Sequence, residues 1–354
     1  MKKSIFSILL AAFALNLTAQ NRIALQHNGQ SSFFTSLETA YTASVDGDTI
    51  HLPGGTFRFQ GDTLNKRLAI IGTGFNSDSS RATGISIIPY LTITSKASGG
   101  ILTGITLSNG INIGNNEANR NVDGFSLLRC DIQQAIVFNG GANNNAYPNN
   151  SKNFIIQGCR ISGGWCFSGN CTHGAAIGNA GNLSNFLFSN NLVVYGYVHI
   201  NQSEISNNVI YGTCPGCYDP PSQAAGGGSI IRNNIFGFGS HPLKYVGTYY
   251  NNLNVGHQNG GSYPNAQSFV TYTSPVAYDS LFVDKLRGDY HLRPNYQTIY
   301  IGTDNTQIGI YGGRFPWKDG SMPFNPHIST FNVDPQTDNT GRLRLRATIN
   351  AQRN

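Results

Sequence analysis

The chain has 354 residues, 39% of them hydrophobic and only 11% charged, with 42 glycines and two methionines. So few charges beside so many turn-formers exclude a chain of long polar helices, and the apolar content excludes a disordered one. The net charge is +6 with lysine and arginine scattered, which gives no basis for expecting nucleic acid as a partner.

Residues 1–19 read as a secretory signal peptide. Lys2 and Lys3 form its basic start, Ile5 to Leu17 its apolar stretch, and cleavage falls near Ala19. Loss of the two lysines takes the net charge from +6 to +4. The apolar stretch is too short to span a bilayer and no later one follows, so no membrane span is expected. The expected location is secreted, extracellular or on a bacterial cell surface.

Next, Thr35-Ser36-Leu37-Glu38 reads as a capping box, with Leu37, Ala40 and Tyr41 on one face of a short helix. Gly47 to Phe57 reads as a strand, a turn and the start of another strand. A helix placed there would cover the open edge and apolar end of whatever β-structure follows.

From about residue 100 a short motif returns. It is carried by Thr103-Gly104-Ile105, Cys130-Asp131-Ile132, Cys159-Arg160-Ile161, Asn190-Asn191-Leu192, Asn207-Asn208-Val209, Asn233-Asn234-Ile235 and Asn251-Asn252-Leu253. Successive starts lie 17 to 31 residues apart. A drifting repeat of this length with Gly/Asn turns predicts a solenoid of β-coils, each too small to bury its own apolar face. Asn190, Asn207, Asn233 and Asn251 are the expected rungs of an asparagine ladder between coils. Asp131 and Arg160 should stack as an ion pair, expected at a solvated surface. Two stretches, Gly140 to Ser151 and Asp219 to Gly228, read as long surface loops.

Six cysteines in an exported chain suggest disulfides. Cys166 with Cys171 and Cys214 with Cys217 could each close a turn. Cys130 and Cys159, at the same place in consecutive coils, would be in bonding range if their side chains face each other. A redox role for Cys214-Pro215-Gly216-Cys217 is the less favoured reading, because no βαβ pattern surrounds it.

After Ser321 the pattern changes to an extended stretch, Ile328 to Val333, an Asp/Asn/Gly turn, and an alternating strand. Arg342, Arg344 and Arg346 there oppose Leu343, Leu345 and Ala347, which predicts a small terminal hairpin. The arginines could grip an acidic glycan; discouraging edge pairing is the favoured reading.

Both ends of the repeat region carry a resemblance. Ser36-Leu37, Ala40, Ala43, Gly47-Asp48-Thr49-Ile50, Leu52 and Pro53-Gly54-Gly55-Thr56-Phe57 resemble the opening of right-handed parallel β-helix proteins of the pectate-lyase-like superfamily. Asp289-Tyr290-His291-Leu292-Arg293-Pro294, Gly302-Thr303-Asp304 and Ile308-Gly309-Ile310-Tyr311-Gly312-Gly313 resemble the closing segment of exported β-helix proteins of Bacteroidetes-type bacteria. The resemblance implies an all-β right-handed parallel β-helix with an N-terminal capping helix and a small C-terminal β-hairpin. The expected layout is signal peptide 1–19, β-helix 20–320, and extended segment with hairpin 321–354. Polysaccharide lyases, hydrolases and non-catalytic proteins share that fold, so fold alone does not fix activity.

Calcium-assisted lysis in this superfamily needs several carboxylates around a cation and a base nearby. Between residues 101 and 265 the only acids are Glu117, Asp123, Asp131, Glu204 and Asp219, and no two share a coil position. No carboxylate pair for hydrolysis stands out, no metal-ligand spacing is present, and no cofactor is expected. His173, His199, His241 and His257, with Tyr195, Tyr197, Tyr211 and Lys244, could supply a base and an acid without calcium if they met in one groove. The clearest weak candidates among them are His173, His199, His241, Tyr197 and Lys244. Aromatics recur at similar offsets in consecutive coils: Trp165, Tyr195 (with Tyr197), Tyr211 and Phe238. Facing outward, Trp165, Tyr195, Tyr197 and Tyr211 would offer stacking platforms for sugars; facing inward, they are core. Three function classes follow. The first is binding of a polysaccharide or matrix glycan without lyase-type catalysis. The second is a calcium-independent polysaccharide lyase or other carbohydrate-active enzyme. The third is a structural or adhesive surface protein.

Overall fold

A computed structural model describes residues 22–76, 84–138, 149–162, 177–178, 183–194, 198, 200–211, 228–237, 247–255, 271–274, 280–319, 327–334 and 336–350. Three parallel sheets wind through these segments. Eleven strands form the first, the two at one edge being an antiparallel hairpin, ten the second and five the third, and parallel neighbours in a sheet come from successive coils. Each coil contributes a two- to four-residue strand to a sheet, turns sharply, and passes to the next, which is the parallel β-helix architecture expected.

Strand alternation explains the core. In the first sheet one inward column runs Ile50, Ile70, Leu102, Leu127, Ile156, Phe188, Ile205, Ile231 and Tyr249, each residue in register with the next coil. All nine are buried. Period two places one face of every strand inside, so a single apolar residue per short strand suffices to build a continuous core. Phe125, Phe154 and Phe186 stack along the same interior, with ring centroids 6.1 and 5.1 Å apart.

The N-terminal end is covered twice. Strands β1 (Ile23–His27) and β2 (Gln30–Phe34) form an antiparallel hairpin, and β1 pairs antiparallel with β3 (Thr49–His51) at the first sheet's open edge. Helix α1 (Leu37–Ala43) then buries Leu37 and Ala40 against the core. The helix was expected, the edge-covering hairpin was not. Ser36 rather than Thr35 is the cap: its Oγ accepts the Thr39 N–H at 3.2 Å, one residue later than the expected capping box.

The repeat is real but its phase changes. Register aligns Asp131 with Arg160, Arg160 with Leu192, Leu192 with Val209, and Val209 with Ile235. The two cysteines therefore stand level with the second asparagine of each later pair, not the first. This one-residue slip exchanges the two faces, and it corrects the ladder. Asn191, Asn208, Asn234 and Asn252 are the buried rungs: each of the first three donates its backbone N–H to the next rung's Oδ1 at 2.8–3.0 Å. Their amide groups add links of 3.2, 2.9 and 2.9 Å. Asn190, Asn207, Asn233 and Asn251 instead take positive φ of 54, 56, 58 and 45°. The doubled asparagine thus divides the work, the first turning the chain and the second bonding between coils.

Two further expectations are corrected. Cys130 and Cys159 are in consecutive coils but are free, buried thiols. The Cys130 N–H reaches Cys159 Sγ at 3.4 Å and the thiols point to carbonyl oxygens, so they prolong the ladder column in place of a disulfide. Burial pushes the Cys159 thiol well above its ordinary value, with Cys130 adding to the rise. Cys166, Cys171, Cys214 and Cys217 lie outside the described residues. Asp131 and Arg160 do pair, by two bonds of 2.6 and 2.9 Å, with the arginine at the solvated surface as expected, 43% exposed, but the Asp131 side chain beneath it only 3% exposed.

Past Asn191 the outward column of the second sheet turns apolar: Leu192, Val209, Ile235 and Leu253. A second core grows on the outside of the solenoid there, completed by Leu281, Phe282, Leu292, Tyr300, Ile308 and Ile310 from the C-terminal segment. The terminal hairpin follows as strands His327–Val333 and Leu345–Asn350, antiparallel, with Val333 opposite Leu345. Arg342 and Arg344 precede its second strand; they and Arg346 are exposed. No helix among the described residues is long and apolar enough to cross a membrane.

Candidate functional site

One corner of the solenoid is a column of residues in the left-handed conformation: Gly104, Arg129, Gly158, Asn190, Asn207, Asn233 and Asn251. A sharp turn between the first and second sheets demands that conformation, which glycine and asparagine reach at little cost and arginine rarely. The C-terminal segment returns along this corner as a strap. Asn251 Nδ2 donates to the Ile301 carbonyl at 2.9 Å, and Asn233 Oδ1 accepts the Thr303 N–H at 2.9 Å. Asn190 Nδ2 donates to the Ile310 and Gly312 carbonyls at 2.9 and 2.8 Å. Asn190, Asn233 and Asn251, turned away from the ladder, therefore hold the strap, while the Asn207 Nδ2 is buried beside it without a hydrogen-bond partner.

Where the strap reaches the coils of Arg129 and Gly158, the corner has no asparagine to offer it, and a small surface cleft of about 20 Å³ opens. Arg129, Gln157 and Gly158 form its floor, and Phe315, Pro316, Trp317 and Lys318 its wall. Gly158 leaves room for the arginine stem: a Cβ there would stand 3.3 Å from Arg129 Cγ. Trp317 meets Phe75 edge-on at 6.1 Å, while Phe315 is 54% exposed. The Arg160 guanidinium, committed to Asp131, lies 5.8 Å over the other partner of that contact, Phe75.

The cleft's electrostatics are one-sided. Burial lowers the Arg129 pKa to about 10. Burial, and then the nearby Arg129 charge, lower that of Lys318. Among the described residues, neither carboxylate nor histidine lines the cleft. Two cations with aromatic rings beside them can hold an anionic or hydroxyl-rich ligand; they are poorly equipped for acid–base chemistry on their own.

Of the candidates read from the sequence, the described residues include only Tyr211. It is half-buried on the second core, and the Lys285 ammonium stands 4.9 Å over its ring. Trp165, His173, Tyr195, Tyr197, His199, Phe238, His241, Lys244 and His257 lie outside the described residues. Sequence reasoning missed Arg129, Phe315, Trp317 and Lys318. A usable signal was present, since Trp317 is one of two tryptophans in the chain and stands four positions after the end of the closing motif at Gly313. Arg129 occupies a turn position held elsewhere by glycine or asparagine, but only the strap's return brings it to Trp317.

No family model matches the chain, and no curated protein matches it. Among solved structures, the chain is similar to the crystal structure of pectate lyase Pel9A, with 16% identity and a TM-score of 0.41. That likeness covers 82% of this chain and 91% of the other. It is too distant to carry an activity or a ligand across, and the parallel β-helix of this chain stands on its own coil-to-coil register.

Proposed function

We propose that this is a secreted or cell-surface β-helix protein that binds a polysaccharide or extracellular matrix glycan, without lyase-type catalysis, and that acidic sugar units are its preferred ligands. The observation that carries this reading is the cleft at the strap's end, where Trp317 and the exposed Phe315 stand beside Arg129 and Lys318. Sugar rings present an apolar face that stacks on an aromatic ring, and a uronate carboxylate matches the fork of a guanidinium.

The test is retention of the mature protein on a panel of immobilised uronate-rich and neutral polysaccharides, with product size and the ultraviolet absorbance of unsaturated uronates followed in solution. Retention on uronate-rich polymers that falls at least about tenfold in Trp317→Ala, with intact polymer throughout, is the expected result. Shortened, absorbing products would replace this reading with a lyase. Equal retention by the Trp317→Ala variant would remove the cleft from consideration.

A further inference from the structure

At the N-terminal end the first sheet stops at β2, which is paired on one side to β1 and on the other to no described residue. Its turn fixes which backbone groups face outward. Asn28 and Gly29, with φ of 50 and 79°, form a two-residue hairpin loop, so His27 and Gln30 bond each other and bonded pairs alternate from there. Leu25 with Ser32 and Ile23 with Phe34 are the next bonded pairs. Ser31 and Phe33 fall between them and direct their N–H and carbonyl groups away from the hairpin. The same alternation leaves Ala24 and Gln26 of β1 to bond β3, opposite His51 and Thr49. Among the described residues, nothing takes up the four outward groups of Ser31 and Phe33. An open edge of this kind is ordinarily blunted by charge, proline or a bulge. The terminal hairpin has such devices: Arg346 in its second strand, Arg342 and Arg344 just before it, and a register shift between Ile328 and Thr330. β2 has none. It is uncharged, lacks proline, keeps its register throughout, and leaves Phe33 63% exposed.

We infer that β2 is a self-association edge, which pairs antiparallel with β2 of a second copy about a twofold axis at Ser32. The outward groups are their own complement. With the axis at Ser32, Ser31 of one copy stands opposite Phe33 of the other, each N–H meets a carbonyl, and four hydrogen bonds use all the outward groups of both strands. Because the strand is uncharged, two copies meet without repulsion. Ser32 faces Ser32 of the second copy in the close, non-hydrogen-bonded position, and the two Phe33 rings become diagonal neighbours on one face, within reach of each other. The eleven-stranded sheet of one copy then runs on into that of the other. Five residues bury little surface beside a standard protein interface, so the pair is weak and forms at high local concentration.

The experiment is sedimentation velocity of the full mature chain from about 1 to about 500 µM. Monomer should give way to dimer and to nothing larger. Ser31→Pro removes one outward N–H from each copy and leaves the bonds to β1 in place, so it should weaken pairing about thirtyfold, the worth of two hydrogen bonds. Ser32→Lys and Ser32→Glu each set like charges opposite one another at the axis and should each weaken pairing about fivefold, whereas an equimolar mixture of the two variants should recover it. Monomer at every concentration would overturn this pairing, as would a folded Ser31→Pro variant that associates like the wild type. Growth past the dimer would also overturn it, because β2 would then meet a different edge of the next molecule. A mixture of the two Ser32 variants no tighter than either alone would remove the axis at Ser32. No glycan enters the measurement, and its outcome is independent of the Trp317 cleft.

Discussion

The backbone N–H of Cys159 donates to the side-chain oxygen of Asn191 at 2.9 Å, across the boundary between two coils. Cysteine and asparagine thus share one buried column, and the thiols stand where later coils place an amide. An amide both accepts and donates across the gap between coils, whereas a thiol does so weakly. The half of the solenoid after Cys159 is therefore tied more tightly along this column than the half before it.

The free thiols give a simple expectation. Unreduced mature protein should show no reaction at Cys130 and Cys159 while folded, and at least these two should label after denaturation. Mass spectrometry of the labelled peptides checks it, and a bridge joining the two would contradict the structure.

The division of labour within Asn207-Asn208 is testable by paired substitution. Asn208 accepts from the Asn191 N–H and donates to the Phe188 carbonyl and Asn234, all buried. Asn208→Ala should cost about 3 kcal/mol, the penalty for leaving several buried partners unsatisfied. Asn207→Gly, at a left-handed position glycine accepts, should cost below about 1 kcal/mol. Equal losses in chemical denaturation would show that the ladder does not lie where the hydrogen bonds place it.

Arg160→Ala leaves Asp131, 3% exposed, with Gln133 as its side-chain partner. Removal of one member of a buried pair is costly, though the exposed half of this arginine reduces the effect, so the expected loss is about 2 kcal/mol. A melting-temperature change within error would return the pair to the class of surface ion pairs.

Gly312 is where the strap is least able to change. A Cβ there would stand 1.8 Å from the Gln307 carbonyl oxygen and 2.8 Å from Asn207 Nδ2. Gly312→Ala should detach the strap and uncover the second core, read as rapid limited proteolysis between about residues 300 and 319, with the earlier coils protected. Resistance equal to the wild type would mean that the strap is held elsewhere.

At alkaline pH Tyr311 gives a signed expectation. Burial first, then the Asp319 hydrogen bond and the charges of Asp319 and Asp289, raise its pKa far above the ordinary 10.0. A raised folded-state value means stability that is present in full below the unfolded pKa and is lost as pH climbs beyond it. Thermal stability should therefore fall above about pH 10, and Tyr311→Phe should make that fall shallower, the remainder coming from groups such as Tyr41, which burial also raises; an identical slope in the variant would place the titrating group elsewhere.

The recurring motif was enough to predict stacked β-coils, the Thr35–Glu38 pattern an N-terminal capping helix, and the Arg/Leu alternation after Arg342 a C-terminal hairpin, because turn chemistry and strand alternation are local properties of the chain. Phase was not. Reading Cys159 as level with Asn190, when the register places it level with Asn191, is an offset of one residue, and a period of two makes one residue the difference between inside and outside. Only the hydrogen-bond register between coils could decide which asparagine is the rung. The hairpin β1–β2 escaped notice for a related reason, since its strands alternate weakly and gain their place by pairing with β3. The cleft lay further out of reach: Arg129 and Trp317 are 188 positions apart in the chain and meet because the strap folds back along the corner. The coil was written in short-range pattern; the place where a ligand could bind was decided by the long return of the C-terminal segment, which no spacing in the sequence records.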